Sequence, residues 1–321
     1  MNALLAVVLT VAAPSPMIIS SAPACTSTTP GLIGGPMPPP GVLTVRWFGT
    51  TNFEFDYGDQ VIVLDTFYDR GPRARPIGFT VDQVKRANAI LIGHPHWDHI
   101  ADVAPVARQT GATVFGAPLT AETAVQLGVP PAQTRALKSG EVLKFKGFTV
   151  EAILVQHSTL DPEVVKVFSD AIEKATAPTP EQKAGEERVR AKGTRDPRLI
   201  KEGTLAYLFT FDGGFKLIVR NSAGPITEDE KATLKRIGGR TDVAIVPYMG
   251  QYVAQRQLEA SLPIAKLYNA KLYLPAHHDQ LLPLFPDIGI EPLLMAIQES
   301  VPGARTYSQL YREPMCFKVA R

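Results

Sequence analysis

Cysteine is nearly absent from this chain. Only Cys25 and Cys316 occur among 321 residues. Two thiols cannot frame a disulfide-stapled scaffold, so any metal site falls to histidine and carboxylate. An excess of one charge is also missing. The net charge is +2, with 33 Lys and Arg dispersed among 31 Asp and Glu, which excludes the basic stripe of a nucleic-acid binder. Residues 3–13 form an apolar run, but Pro14 and Pro16 end it far short of the roughly 20 residues a transmembrane helix needs. A G-x-S-x-G nucleophile elbow and a phosphate-cradling glycine loop are absent as well, which argues against serine hydrolases and P-loop enzymes.

The N-terminus reads as a secretory signal over residues 1–24, with small residues at 20–24, although it lacks a basic n-region. Ala22-Pro23-Ala24-Cys25 approaches a lipoprotein cleavage box without its customary Leu, which makes Cys25 a candidate lipidation site. The expected localisation is therefore periplasmic or secreted, or cytoplasmic if the start is not a signal. Residues 25–41 are rich in Thr, Gly and Pro and read as a tether outside the fold.

From Val42 the pattern becomes that of one folded domain extending to 321. Leu43, Val45 and Trp47 alternate with polar residues, and strands are expected at 53–55, 61–64 and 89–92. Helices follow near 100 and at 120–127, and strands flank Lys146-Gly147. The second half has the same alternation of blocks, with strands at 204–211, 215–220, 243–247 and 271–274 and helices at 227–237, 255–267 and 292–300. Thr227 with Glu230 three residues on forms a capping-box pair. Such blocks in two similar halves suggest an α/β protein of two packed sheets with helices outside. Residues 159–203 are highly charged and punctuated by proline, and read as one or two surface helices inserted beside the site, either a solvated insertion or a lid.

The decisive stretch is Gly93-His94-Pro95-His96-Trp97-Asp98-His99, which puts four candidate ligands just after a buried strand. His94 and His96 alternate, so both imidazoles can face one metal. Asp98 and His99 lie where the chain turns toward a helix and can reach a second position. All six histidines, including His157, His277 and His278, fall at or just past strand ends. Nitrogen and carboxylate ligands suit zinc, one ion or two, with manganese or iron as alternatives.

His94-x-His96-x-Asp98-His99 resembles the signature of the metallo-β-lactamase superfamily, over about residues 42–280. The resemblance implies a four-layer αββα sandwich. It also implies that His94, His96 and His157 hold a first metal, and that Asp98, His99 and His277 hold a second, with His278 as competitor for the last place. Asp65 would support the ligands from behind. Val45-Arg46-Trp47-Phe48-Gly49-Thr50-Thr51-Asn52 and Val63-Leu64-Asp65-Thr66 look like the ascorbate-6-phosphate lactonase-like branch. One departure concerns the bridging Asp of the superfamily: this chain has Arg220-Asn221-Ser222, with no carboxylate. Asn221 or Ser222 falls at that place, and Asp279 is a possible substitute.

A metal with an open position brings a bound water's pKa toward about 7, so the expected chemistry is attack by a metal-bound hydroxide. Asp98 is the candidate proton carrier, Tyr248 a candidate oxyanion donor, and Arg220 a candidate substrate contact beside the absent Asp. The expected substrate is a small-molecule lactone, lactam or ester. The alternatives are a phosphodiesterase or nuclease of the same fold, or a metal-binding protein without catalysis. A nucleic-acid partner is not expected, and oligomeric state is not legible.

Overall fold

The computed structural model describes Cys25 and residues 31–159, 162–249, 257–279 and 289–319. The expected signal segment 1–24 lies outside the described residues. Among the described residues, fourteen strands form two seven-stranded sheets. In chain order they are β1 (Val42–Trp47), β2 (Phe53–Tyr57), β3 (Gln60–Leu64), β4 (Ala89–Leu91), β5 (Thr113–Gly116), β6 (Thr134–Ala136) and β7 (Val142–Phe145). β8 (Phe148–Val155), β9 (Thr204–Phe211), β10 (Lys216–Val219), β11 (Thr241–Pro247), β12 (Ala270–Ala276), β13 (Arg305–Thr306) and β14 (Pro314–Lys318) complete them.

The first sheet runs β14-β1-β2-β3-β4-β5-β6 and the second β13-β12-β11-β10-β9-β8-β7. Both are antiparallel on one side and parallel on the other, changing at β3 and at β10. The period-two geometry of a strand explains the layers. In β3, Ile62 and Leu64 face the second sheet with Phe55, Leu91, Val150 and Phe209, whereas Val61 and Val63 face helices with Val103, Val106 and Ala107. Across the second sheet, Ile153, Leu208 and Ile218 meet Leu234, Ile264 and Leu293 from the outer helices. Each of these fully buried aliphatic side chains contributes roughly 1.5–3 kcal/mol of transfer free energy. The result is a four-layer αββα sandwich.

The expected capping box is formed: Glu230 N donates to Thr227 Oγ1, and Thr227 N donates to Glu230. The short strands β6, β13 and β14 carry no signal in the sequence, because two- to five-residue edge segments show little period.

The tether reading does not hold for residues 31–41. Ile33 is fully buried and bridges to Val84, and Gly34 N donates to buried Glu54. Glu54 in turn pairs with buried Arg46. The two cysteines form a disulfide, Cys25–Cys316, clamping the N-terminal segment onto β14. A disulfide occupies the sulfur that a thioether-linked lipid would need, so lipidation at Cys25 is incompatible with this structure. The charged insertion carries helices Pro162–Thr176 and Pro180–Arg190, and a turn of helix at Leu199–Glu202. Among the described residues no helix is long and apolar enough to cross a membrane.

Candidate metal centre

The site lies along one edge, where strands of both sheets end. Asp65 follows β3, the His94–His99 segment follows β4, His157 follows β8, Asn221 follows β10 and His277 follows β12. Two groups of ligand atoms converge there: His94, His96 and His157, and Asp98, His99 and His277, each within 4.8 Å of one another. Both open into one cavity of about 220 Å³.

The hydrogen bonds reveal what the first group is built to hold. His94 Nδ1 faces Asn221 Oδ1 at 3.3 Å, and His157 Nδ1 faces the Ser158 carbonyl at 2.5 Å. Each ring therefore places its proton on Nδ1, which leaves a lone pair on Nε2. Yet His94 Nε2 lies 3.1 Å from His157 Nε2 and 3.2 Å from His96 Nδ1. Lone pairs this close repel unless a cation sits among them. Burial, with the neighbouring imidazoles adding, holds His94 well below the usual histidine range, His96 at about 4 and His157 at about 3. All three are neutral ligands at physiological pH.

The second group carries charge. Asp98 Oδ2 is 3.2 Å from His277 Nε2 and 3.6 Å from His99 Nε2. Burial alone would raise Asp98, but His99 and His277 outweigh it and hold the carboxyl well below its ordinary value. Burial would likewise lower His99, but the carboxylates of Asp98 and Asp65 raise it. His99 Nδ1 meets Asp65 Oδ2 at 2.7 Å, so its Nε2 is left buried without a hydrogen-bond partner. That orphaned nitrogen also fits a metal.

Asp65 is the hub behind the ligands. It accepts from Thr51 Oγ1, Gly93 N and Asn221 Nδ2 as well as meeting His99. Asn221 thus spans Asp65 and His94, standing behind the first group. Gly93 makes this approach feasible, since a Cβ there would lie 1.2 Å from Asn221 Nδ2.

Several expected site residues lie elsewhere. His278 stacks on Trp47 with ring centroids 4.7 Å apart, because β12 ends at Ala276 and His277 takes a left-handed conformation, φ 62°, that turns the two adjacent rings apart. Tyr248 does not face the cavity, because neighbouring side chains alternate where the chain leaves β11: Pro247 and Met249 line the cavity, while Tyr248 packs among the outer helices. Arg220 is fully buried and forms a forked pair with Glu230, both bonds 2.8 Å, while also donating to the carbonyls of Ser222 and Gly224. It shapes the loop bearing Asn221 and does not reach the cavity. Ser222 does line the cavity, accepting from Ser158 N. Asp279 is not a substitute ligand, because Arg70, Tyr311 and Thr50 N occupy its oxygens. That cluster supports the second group indirectly, since Thr50 O accepts from His277 N at 2.7 Å. Two cavity residues, Arg195 and Gln257, have no signal in the sequence. One sits in a charged insertion and the other on an ordinary helix.

This fold and these ligand groups define a metal-binding αββα hydrolase-type scaffold. The β-lactamase superfamily domain is matched over residues 60–179. A UPF0173 metal-dependent hydrolase of Cupriavidus taiwanensis is 24% identical across 80% of this chain and 82% of that protein. Among solved structures, the metallo hydrolase Igni18 of the archaeon Ignicoccus hospitalis is similar with a TM-score of 0.58 at 18% identity, covering 86% of this chain and 98% of that one. An isothiocyanate hydrolase from Delia radicum gut bacteria superposes with a TM-score of 0.51 at 12% identity, covering 86% and 99%. The chain is thus similar to the β-lactamase superfamily domain over residues 60–179 and shares the fold of these metallo hydrolases.

Proposed function

We propose that this protein is a metal-dependent hydrolase that opens a lactone, lactam or ester of a small molecule, with zinc as the first candidate metal. The observation that carries the reading is the convergence of the His94, His96 and His157 lone pairs beside the charged Asp98–His99–His277 group in one cavity. The names of similar proteins point the same way. When bound, a divalent metal supplies an activated water and polarises the oxygen under attack.

The chain's own groups do the rest. His94, His96 and His157 offer neutral nitrogens, with Asn221 and Ser158 O holding the tautomers of His94 and His157. Asp98 stays ionised and can take a proton or a second metal. Asp65 holds His99 and Asn221 in register. Ser158 and Ser222 line the wall with hydroxyls that can orient a polar substrate. The Cys25–Cys316 disulfide supports an oxidising compartment as the place of work, in line with export. Asn221, neutral where the superfamily generally supplies a bridging carboxylate, lends weight to a second reading as a metal-binding protein without turnover.

Metal content per chain, measured with activity on a lactone and ester panel, decides between them. Wild type is expected to hold about two equivalents and Asp98→Ala about one. His96→Ala is expected to lose at least about 1,000-fold in activity. Full metal loading with no turnover would favour the binding protein. A wild type that takes up no metal would overturn both readings.

A further inference from the structure

The insertion between β8 and β9 returns across the metal motif itself. Val189 packs in a small apolar cluster with Phe67, Ala101 and Trp97, and the Arg190 guanidinium lies 6.0 Å over the Trp97 ring. Lys192 reaches toward Asp69 and Asp102 at 3.7 and 3.5 Å. Gly193 touches the backbone of Trp97 so closely that a Cβ would sit 2.4 Å from its nitrogen. Thr194 N donates to Pro95 O, inside the histidine motif, at 2.9 Å. On the far side, Asp196 N donates to Thr194 Oγ1, and Ile200 O accepts from His157 N. The limb is thus pinned both to the first ligand segment and to the third ligand of the same group.

Arg195 is held between these anchors and lines the cavity with all six candidate ligands. Its neighbours in the limb are neutralised: Arg198 pairs with Asp196 and Glu122, and Lys192 faces two carboxylates. Arg195 forms no ion pair with any described residue, although Asp98 lines the same cavity. Gln257 also lines the cavity, is 4% exposed, and has an amide oxygen with no partner among the described residues. A loaded site would be strongly positive, because Asp98 is the sole carboxylate in the two ligand groups and Asn221 adds no charge.

We propose that Arg195 is the specificity-determining residue of this site and selects substrates bearing an oxyanion, carboxylate or phosphate, next to the bond that is cleaved. A guanidinium fork matches the planar pair of oxygens of such a group, and an anchored backbone lowers the entropy lost on binding. The positive cavity adds long-range attraction for the anion. This inference rests on the hydrolase reading for its substrate, and only on the cavity for the anion.

The test uses the metal-loaded full chain as wild type, Arg195→Ala and Arg195→Lys. Matched esters are compared, p-nitrophenyl acetate against mono-p-nitrophenyl succinate, and calorimetry follows binding of succinate and of inorganic phosphate. Arg195→Ala is expected to lower kcat/KM for the anionic ester by roughly 10- to 100-fold, mainly through KM, and to leave the neutral ester within about twofold. Arg195→Lys should fall between. Metal content should be unchanged in both variants. The preferred anion shows which oxyanion the site is shaped for. Equal losses on both esters, or no loss on either, would overturn the proposal. If no ester is turned over, the hydrolase reading fails, and calorimetry still decides the role of Arg195. Unchanged affinity for both anions in Arg195→Ala would then sink it.

Discussion

In the first sheet, the candidate ligands arrive in one short segment after β4, so His94, His96, Asp98 and His99 are placed by local geometry. In the second sheet, His157, Asn221 and His277 come from loops after β8, β10 and β12, far apart in the chain. These loops carry buried polar supports. Arg220 with Glu230 braces the Asn221 loop, and Arg70 with Asp279 braces the Thr50 segment that holds His277 N. Among the described residues, three of the six non-glycine residues with positive φ are Thr50, Asp65 and His277, all at this edge. A short motif can carry ligands with little help. Ligands gathered from distant loops need charged groups buried to hold them, and that makes the second half the more fragile one.

Removing one of those supports should have the largest effect. Arg220→Ala leaves the buried Glu230 carboxyl without its guanidinium, and strips the Ser222 and Gly224 carbonyls of their donor. The fold is expected to lose about 3–5 kcal/mol in denaturant unfolding. A loss below about 1 kcal/mol would mean that the second-half loops hold themselves, and the contrast between the halves would vanish.

A gentler change tests the site in the opposite direction. Asn221→Asp keeps the shape and adds a carboxylate beside Asp65, 3.2 Å from the present amide nitrogen. Without metal the two carboxylates repel, so the metal-free variant should melt below wild type. With metal the added charge should tighten binding about tenfold, near 1.4 kcal/mol, read by competition with a chelator. Unchanged affinity would show that this position is structural and not a lever on the metal.

An effect of similar size, but one that leaves the metal untouched, is expected in the first sheet away from the site. Asp56 lies buried beside Glu54, and burial, with the Glu54 charge adding, pushes its carboxyl from 3.8 to about 7. The folded state thus keeps this proton more tightly than the unfolded chain does. Its contribution to stability is full below about pH 3.8 and is lost as pH rises through about 7. Asp56→Asn mimics the neutral form, so at pH 8 it should exceed wild type by roughly 1–2 kcal/mol, and the gap should close toward pH 4. A gap that ignores pH in thermal melts would refute that account. Metal content should not change, which would separate scaffold charge from site charge.

The sequence by itself determined the strand and helix blocks with strong period, the two-sheet architecture and the His94–His99 segment. Each of these rests on contacts or alternation within a few residues. Asp65 was singled out only through the resemblance carried by Val63-Leu64-Asp65-Thr66, since a lone acidic residue after a strand carries no signal of its own. What only the tertiary structure decided were choices between facing directions and distant partners. His277 and His278 are adjacent and identical, and the left-handed backbone at His277, just past β12, turns one to Asp98 and the other to Trp47. Arg220 reads as a substrate contact until Glu230, ten residues away, closes its fork. Cys25 and Cys316 stand 291 residues apart, and nothing local pairs them. The glycine- and proline-rich residues 31–41 lack any apolar period, yet one buried side chain, Ile33, and one backbone bond to Glu54 are enough to seat them. Arg195 reaches the cavity because Gly193 and Thr194 dock on the histidine motif, a contact across about a hundred residues that no local pattern encodes.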